Sequence, residues 1–297
     1  MKAIVTGANG FIGSALVNKL LMEGNEVVAI DISFNYNNFL NNNNIVFIES
    51  SLDNLDKILY KIESLKADVM YNFAWKGVNG LLKSDPYTQI DNIKMTINCA
   101  NIAKKTGCKR FLCAGTISEI VIKSLPNLRT VPGSMMYGVA KHCTNLILET
   151  YCNSIDLPMI WMTFSNIYGP NNKTGNLISY TISELLKGKE AVFGTATQPY
   201  DFIYIDDLIE AIYLLGIKNT KYNSYFIGSG SPRILREYLM EIGRILKKEN
   251  LIKIGGRDDD GIKYDYSMFD ISKLVEDIGV YVKVDFSDGI KSVINAN

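Results

Sequence analysis

The sequence predicts an α/β fold: a doubly wound parallel sheet with helices on both faces, and a smaller α/β lobe in the carboxy-terminal part. Three observations predict it. Apolar runs of strand length alternate with stretches of helix length. A glycine-rich turn, Thr6-Gly7-Ala8-Asn9-Gly10-Phe11-Ile12-Gly13, joins the first strand to the first helix. After about residue 171 the alternation loosens, and Gly, Pro and Asn punctuate shorter elements.

The predicted strands are Lys2 to Thr6, Glu26 to Asp31, Ile45 to Glu49, Val69 to Ala74, Arg110 to Ala114 and Pro158 to Phe164, short apolar runs of the kind buried between two layers of helices. Helices are expected over 11–23, 54–65, 87–106, 138–153, 177–187, 207–216 and 235–248. Asn35 to Asn44 holds seven asparagines and reads as a solvated loop. The expected division is a dinucleotide-binding domain over 1–170, receiving about 200–230 as well, interleaved with a substrate-binding lobe over 171–297.

Composition narrows the function classes. Of 297 residues 47% are apolar and 21% charged, and 31 Lys plus Arg balance 31 Asp plus Glu, which excludes disorder and a broad positive field for nucleic acid or an anionic membrane. A small-molecule ligand is expected. The five cysteines lack C-x-x-C spacing and read as reduced and mostly buried. The start lacks the pattern of a signal peptide, no window offers the roughly 18 apolar residues of a membrane span, and a cytoplasmic location is expected. His142 is the single histidine, so no metal site is expected.

The glycine-rich turn lets backbone N–H groups approach a pyrophosphate at the positive end of the first helix. Its candidate cofactor contacts are Gly7, Asn9, Gly10, Phe11, Ile12 and Gly13. Asp31 ends the second strand 18 residues beyond Gly13, where a carboxylate accepts from the adenosine ribose hydroxyls. It would repel a 2′-phosphate by roughly 3 kcal/mol per unit charge at about 5 Å and an effective dielectric of about 20. No Lys or Arg stands between Lys19 and Lys57 to offset this, so NAD(H) is favoured over NADP(H). Ile32, Leu52 and Asp53 complete the adenosine end, Asp53 either meeting adenine or capping the following helix.

Tyr137 and Lys141 stand four residues apart and share a helix face, and Thr116 follows the fifth strand. An ammonium about 6 Å from a phenol would contribute about 2.8 kcal/mol at a dielectric of about 20, lowering its pKa by about two units. Tyr137 as proton carrier, Lys141 as ribose anchor and Thr116 as hydrogen-bond donor imply alcohol–ketone interconversion.

Together these residues resemble the extended short-chain dehydrogenase/reductase family, the branch of NAD-dependent nucleotide-sugar epimerases, dehydratases and reductases, over nearly the whole chain. The resemblance implies a Rossmann-type fold. It places Phe73, Ala74 and Asn92 near the cofactor, with Trp75 and Lys76 overhanging its nicotinamide end; Lys76 would touch substrate, cap or lie at the surface. Asn166, in Ser165-Asn166-Ile167-Tyr168-Gly169-Pro170, is expected near substrate; Asn176 and Leu177 would grip a nucleotide diphosphate, and Val192 and Phe193 line the base. Tyr200 stands where the family has a diphosphate-binding Arg, with Arg257, Arg233 and Arg236 as candidate replacements. The dehydratases carry Asp-Glu after the Thr; here Thr116-Ile117-Ser118-Glu119 disfavours dehydration, and Gly115 in place of a Ser is expected to give substrate more room.

The implied function is NAD(H)-dependent reduction of a nucleotide-linked 4-keto, 6-deoxy sugar for a surface polysaccharide. The alternative is a nucleotide-sugar 4-epimerase using the same residues, and a third reading is a non-catalytic cofactor-binding sensor or scaffold. Chain length and Phe73-Ala74-Trp75-Lys76-Gly77 point to the reductases, whereas Asp31 points away because many of them prefer NADPH. The 138–153 helix carries a small and apolar stripe, Val139, Cys143, Leu146 and Thr150; the resemblance implies a homodimer built through this helix and the 92–106 helix, the alternative being packing within one chain.

Overall fold

The apolar runs assemble into one sheet. The structure is a computed structural model that describes residues 1–62, 64–124, 133–172, 175–259 and 264–296. The chain forms two units, Met1–Phe164 with Ile209–Tyr225, and Ser165–Leu208 with Phe226–Asn297.

Numbered along the chain, the sheet strands are β1 (Lys2–Thr6), β2 (Glu26–Asp31), β3 (Ile45–Glu49), β4 (Val69–Asn72), β5 (Arg110–Ala114), β6 (Met159–Phe164) and the edge strand β11 (Ser224–Ile227). Their order is β3-β2-β1-β4-β5-β6-β11, and the five ladders from β3 to β6 are parallel. Thr6 is in register with both Ile30 and Asn72, so the strand order reverses at β1, and the crevice beyond its carboxyl end is where such sheets bind ligands.

The first unit's helices include α1 (Phe11–Met22), α2 (Leu55–Ile62), α3 (Pro86–Lys105), α4 (Ile117–Ser124) and α5 (Met136–Ser154). α3 shows why its sequence starts a helix there: the Asp85 carboxylate accepts from Thr88 N at 2.8 Å and Pro86 occupies the first turn, where its missing N–H is harmless. Below the sheet Ile4, Ile30, Met70, Phe111 and Trp161 are essentially solvent-free, and burying side chains of this size contributes about 1.5–3 kcal/mol each. Four of the five cysteines are buried free thiols, Cys143 being exposed. Among the described residues no helix is long and apolar enough to cross a membrane.

The Asn35–Asn44 segment is mostly exposed, as expected of a solvated loop, and its amides hold it in place. Asn35 N and Asn38 Nδ2 both donate to Asn9 Oδ1 at 3.1 Å, Leu40 N donates to Asn18 Oδ1, and the rings of Phe34, Tyr36 and Phe39 pack on Phe47. Side-chain amides that pair with backbone groups explain why asparagine serves here.

The second unit is built on short ladders: β7 (Asn166–Tyr168) with β10 (Phe202–Tyr204), β8 (Ala191–Val192) with β13 (Ile252–Lys253), and β9 (Pro199–Tyr200) with β12 (Arg233–Ile234). α6 (Leu177–Leu186), α8 (Leu235–Leu246), α9 (Ser272–Ile278) and α10 (Phe286–Asn295) complete it, and α7 (Ile205–Ile217) starts in it. Two acidic residues tie the unit together: buried Asp201 accepts from the Ser229 N–H and hydroxyl, and Asp207 from Lys283 N and Val284 N.

Candidate active site

The turn after β1 is shaped by sterics. A Cβ on Gly13 would lie 2.1 Å from the Gly7 carbonyl oxygen, and Gly7 itself takes φ +64° with Ala74 N 2.7 Å from where its Cβ would be. Neither position admits a side chain. Gly10 precedes α1 without capping its N–H groups through a side chain, and the first turn, from Phe11 and Ile12 onward, holds no acidic residue. The positive end of the helix dipole thus stays available to an anion, so the residues present fit a dinucleotide pyrophosphate.

Asp31 is fixed as an acceptor by Asn9 N on Oδ2 at 2.9 Å and Ile32 N on Oδ1 at 2.7 Å. Leu52 is buried, and its carbonyl accepts from Asn98 Nδ2. α2 begins at Leu55, two residues beyond Asp53, whose carboxylate bonds Ser51 Oγ and pairs with Lys76 Nζ at 3.0 Å, and these two partners hold it below the usual carboxylate range. Lys76 therefore lies in a half-exposed ion pair.

The segment after β4 is held from α3. Asn92, buried, accepts from Lys76 N and donates to Lys76 O, both at 2.8 Å. Its amide thus grips the backbone of the loop in which a direct cofactor contact was expected. One turn earlier Gln89 accepts from Trp75 Nε1 at 3.0 Å and donates to Gly77 O and Leu82 O. The carbonyl ends of β4 and β1 meet here, Phe73 N donating to Thr6 O and Ala74 packing against Gly7.

Tyr137, Lys141, Thr116 and Trp75 form one cluster. The Trp75 and Tyr137 rings meet edge to face at 6.0 Å, and Lys141 Nζ lies 3.8 Å from the Trp75 centroid while donating to Ala114 O at 2.7 Å. Lys83 Nζ lies 5.8 Å from the Tyr137 ring centroid. Burial holds the Lys141 ammonium below the usual lysine range, against the attraction of Glu119. Tyr137 departs from the expected lowering: burial pushes its phenol up, Glu119 adds to this, and a hydrogen bond with Thr116 opposes it. Burial thus outweighs any help to the phenolate, and the Lys141 ammonium lies against the Ala114 carbonyl and the Trp75 face.

A second departure concerns Gly115. The space beside it is filled, because a Cβ there would lie 2.5 Å from Trp161 Nε1 and 2.6 Å from Glu119 Oε1. Glu119, fully buried, accepts from Thr116 N at 2.6 Å and Trp161 Nε1 at 3.0 Å. Glu119, Trp161 and Gln89 are members of the site that sequence reasoning missed. Thr116-x-x-Glu119 is the pattern of a helix capping box and signalled both α4 and the bond to Thr116 N. Among the described residues the buried Nδ1 of His142 has no hydrogen-bond partner, and burial lowers its pKa.

In the second unit Asn166 Nδ2 donates to Asp201 O, and Asn176 caps α6, accepting from Ser179 N and donating to Ile167 O. The Asn176 side chain is thereby committed to the helix, which Leu177 begins. Val192 pairs with Lys253, Phe193 is buried against Tyr180, and the Arg257 guanidinium lies 5.9 Å from the Phe193 ring, so these three predicted residues do come together. Tyr200 stands opposite Arg233 on the β9–β12 ladder. Arg233 is engaged otherwise, bonding Glu241 at 2.7 Å and stacking on Tyr238, whereas Arg236 and Arg257 are exposed.

Comparison with known proteins bears directly on this arrangement. Residues 3–228 match the model of the NAD dependent epimerase/dehydratase family. The chain belongs to that family. It is similar to UDP-glucuronate 4-epimerase of Thermodesulfobacterium geofontis, 26% identical with 98% of this chain and 94% of the relative covered. Protein CapI of Staphylococcus aureus is 24% identical, with 84% of each chain covered. Among solved structures, UDP-glucose 4-epimerase of Thermotoga maritima with UDP-glucose superposes with a TM-score of 0.84 at 24% identity, covering 100% and 98% of the two chains. The dTDP-glucose 4,6-dehydratase of Bacillus anthracis with NAD gives 0.82 at 22%, covering 100% and 96%. The chain is an enzyme of this extended short-chain dehydrogenase/reductase family, with the Rossmann-type sheet described above.

Proposed function

We propose that the chain is an NAD(H)-dependent reductase of a nucleotide-linked 4-keto sugar, a 6-deoxy sugar of a surface polysaccharide being the substrate class. What supports this direction is the segment after β4: Phe73-Ala74-Trp75-Lys76-Gly77 resembles that of the reductases, and its Trp75 lies over Lys141 and meets the Tyr137 ring edge to face.

The glycine turn, Asp31 and the 73–76 segment would hold the cofactor, with Asp31 favouring NAD(H) over NADP(H). When bound, the dinucleotide supplies the hydride. Tyr137 delivers the proton to the C4 oxygen, Thr116 donates a hydrogen bond to the same oxygen, and Lys141 anchors the nicotinamide ribose. Trp75 covers Lys141 and borders Tyr137, which suits a single sugar pose. Asn166, Asn176, Leu177, Val192, Phe193, Tyr200 and Arg257 are proposed to bind the nucleotide diphosphate, through backbone groups at Asn176 because its side chain caps α6. Dehydration is disfavoured because Ile117 is apolar and buried and both Glu119 oxygens are occupied by N–H donors.

A second reading, nucleotide-sugar 4-epimerase, is favoured by the names of relatives such as the Thermodesulfobacterium and Mycolicibacterium smegmatis enzymes. Incubation with NADH and candidate nucleotide sugars separates the two. The reductase consumes one NADH per 4-keto sugar, whereas interconversion of two nucleotide sugars with no net change at 340 nm would overturn it in favour of the epimerase. The protein is further proposed to act in the cytoplasm as a homodimer through α3 and α5, which expose Ile90, Leu146 and Ile147.

A further inference from the structure

Glu119 is an unusual capping residue. The acid of an ordinary capping box sits at a helix start in water, but Glu119 is 0% exposed, beneath the turn that carries Thr116. Both oxygens are used: Oε1 accepts from Thr116 N at 2.6 Å, Oε2 from Trp161 Nε1 at 3.0 Å. Trp161 comes from β6 and is itself buried, so the carboxylate ties the catalytic turn to a rigid strand. Gly115 completes the arrangement, since any Cβ there would strike both the carboxylate and the indole nitrogen. Lys141, 4% exposed, reaches the same turn from α5 by donating to Ala114 O at 2.7 Å; its charge and that of Lys123 on α4 favour the carboxylate, against the burial that pushes the Glu119 carboxyl up to about 6. The groups acting on Lys141 are Glu119 and the Cys113 thiol of β5; on the Tyr137 phenol they are Thr116 and Glu119.

We infer that Glu119 is a positioning residue of the active site: its carboxylate clamps the Thr116 turn to Trp161 and sets a buried acid beside the Lys141 ammonium. This inference rests on the oxidoreductase reading. It gives Gly115 a physical role, because the residue must be small for the clamp to close.

The sign of the charge effect is determined. Replacing Glu119 by Gln removes a negative charge that favours the Lys141 ammonium and opposes the Tyr137 phenolate, so both groups lose their protons at lower pH. The amide also offers one acceptor where two N–H donors need one each. The test uses the full chain with NADH bound. Lysine labelled with 13C at Cε reports the Lys141 titration by NMR, the resonance assigned by its loss in Lys141→Arg. In Glu119→Gln the titration is expected to move down by roughly one pH unit. Where a 4-keto sugar is turned over, the alkaline limb of kcat/KM moves the same way. A Lys141 titration in Glu119→Gln that superimposes on the wild type overturns the inference. Gly115→Ala keeps every charge and tests the clamp: a kcat loss of about tenfold with unchanged NADH affinity is expected, and wild-type kcat overturns it, also if Glu119→Gln does not fold. The NMR titration needs no sugar, so failure of the enzymatic reading, seen as no turnover of any nucleotide sugar by the wild type, is distinguishable from failure of this one.

Discussion

Gly13→Ala tests the glycine turn more sharply than any other single substitution. The new methyl carbon would start 2.1 Å from Gly7 O, and 2.8 Å from Gly7 C and Ala8 Cα, all backbone atoms that no rotamer change can move aside. Bringing the closest contact to the 3.0 Å that real Cβ atoms keep displaces the start of α1 from the end of β1 by about 1 Å. Overpacking of this kind costs roughly 2–3 kcal/mol, and for a chain of 297 residues each kcal/mol is worth about 1.5 °C, so Tm should fall by about 3–5 °C. The N–H groups at the helix start would no longer converge on a pyrophosphate, and a lost charge-assisted hydrogen bond is worth about 1.5–3 kcal/mol, or a 10- to 100-fold rise in the Kd for NADH. Gly10→Ala is the control: it is exposed, its Cβ meets only Gly7 O at 3.2 Å, and it should weaken NADH binding with less effect on Tm. Titration calorimetry and thermal unfolding read both quantities. A Gly13→Ala protein that binds NADH and melts like the wild type would refute the reasoning.

Other substitutions probe the remaining parts. Tyr137→Phe should lower kcat by about 10²- to 10⁴-fold while NADH affinity holds within about threefold, measured by stopped-flow oxidation of NADH. Asp31→Asn removes the charge and one of the two acceptors now used by Asn9 N and Ile32 N, so the Kd for NADH should rise several-fold and that for NADPH fall; unchanged selectivity would remove Asp31 from the cofactor site. Asn92→Ala leaves both backbone groups of Lys76 without partners, and a stability loss of about 1–3 kcal/mol in urea unfolding is expected. Leu146→Glu with Ile147→Glu, both at exposed positions of α5, should convert a dimer to a monomer in sedimentation velocity.

Much of the first unit was legible because its inner strands are buried on both faces and announce themselves as apolar runs: β1, β2 and β5 begin and end where those runs do, as does the partly exposed edge strand β3. Other elements carried weaker signals. β8, β9, β12 and β13 are two residues long, too short for any period to register, and α4 was obscured because Thr116 to Glu119 was read against a catalytic pattern instead of as a capping box. The site shows the same boundary. Spacing along one helix paired Tyr137 with Lys141, but the partners that determine their charge states come from elsewhere in the chain. Ala114 takes the ammonium, Trp75 lies over it, and Trp161, 46 residues beyond Gly115, fills the space that a missing side chain was expected to leave open. Long-range contacts of this kind leave no periodic trace.

The central claim is that hydride and proton reach C4 of a nucleotide-linked sugar within the Tyr137, Lys141 and Thr116 cluster. It is tested most directly by turning over a nucleotide-linked 4-keto sugar with NADH carrying deuterium at the transferable position, and analysing the sugar by mass spectrometry and proton NMR. One deuterium at C4 per NADH consumed, lost from the product pool in Tyr137→Phe, is the predicted result; oxidation of NADH with no deuterium in the sugar would contradict it.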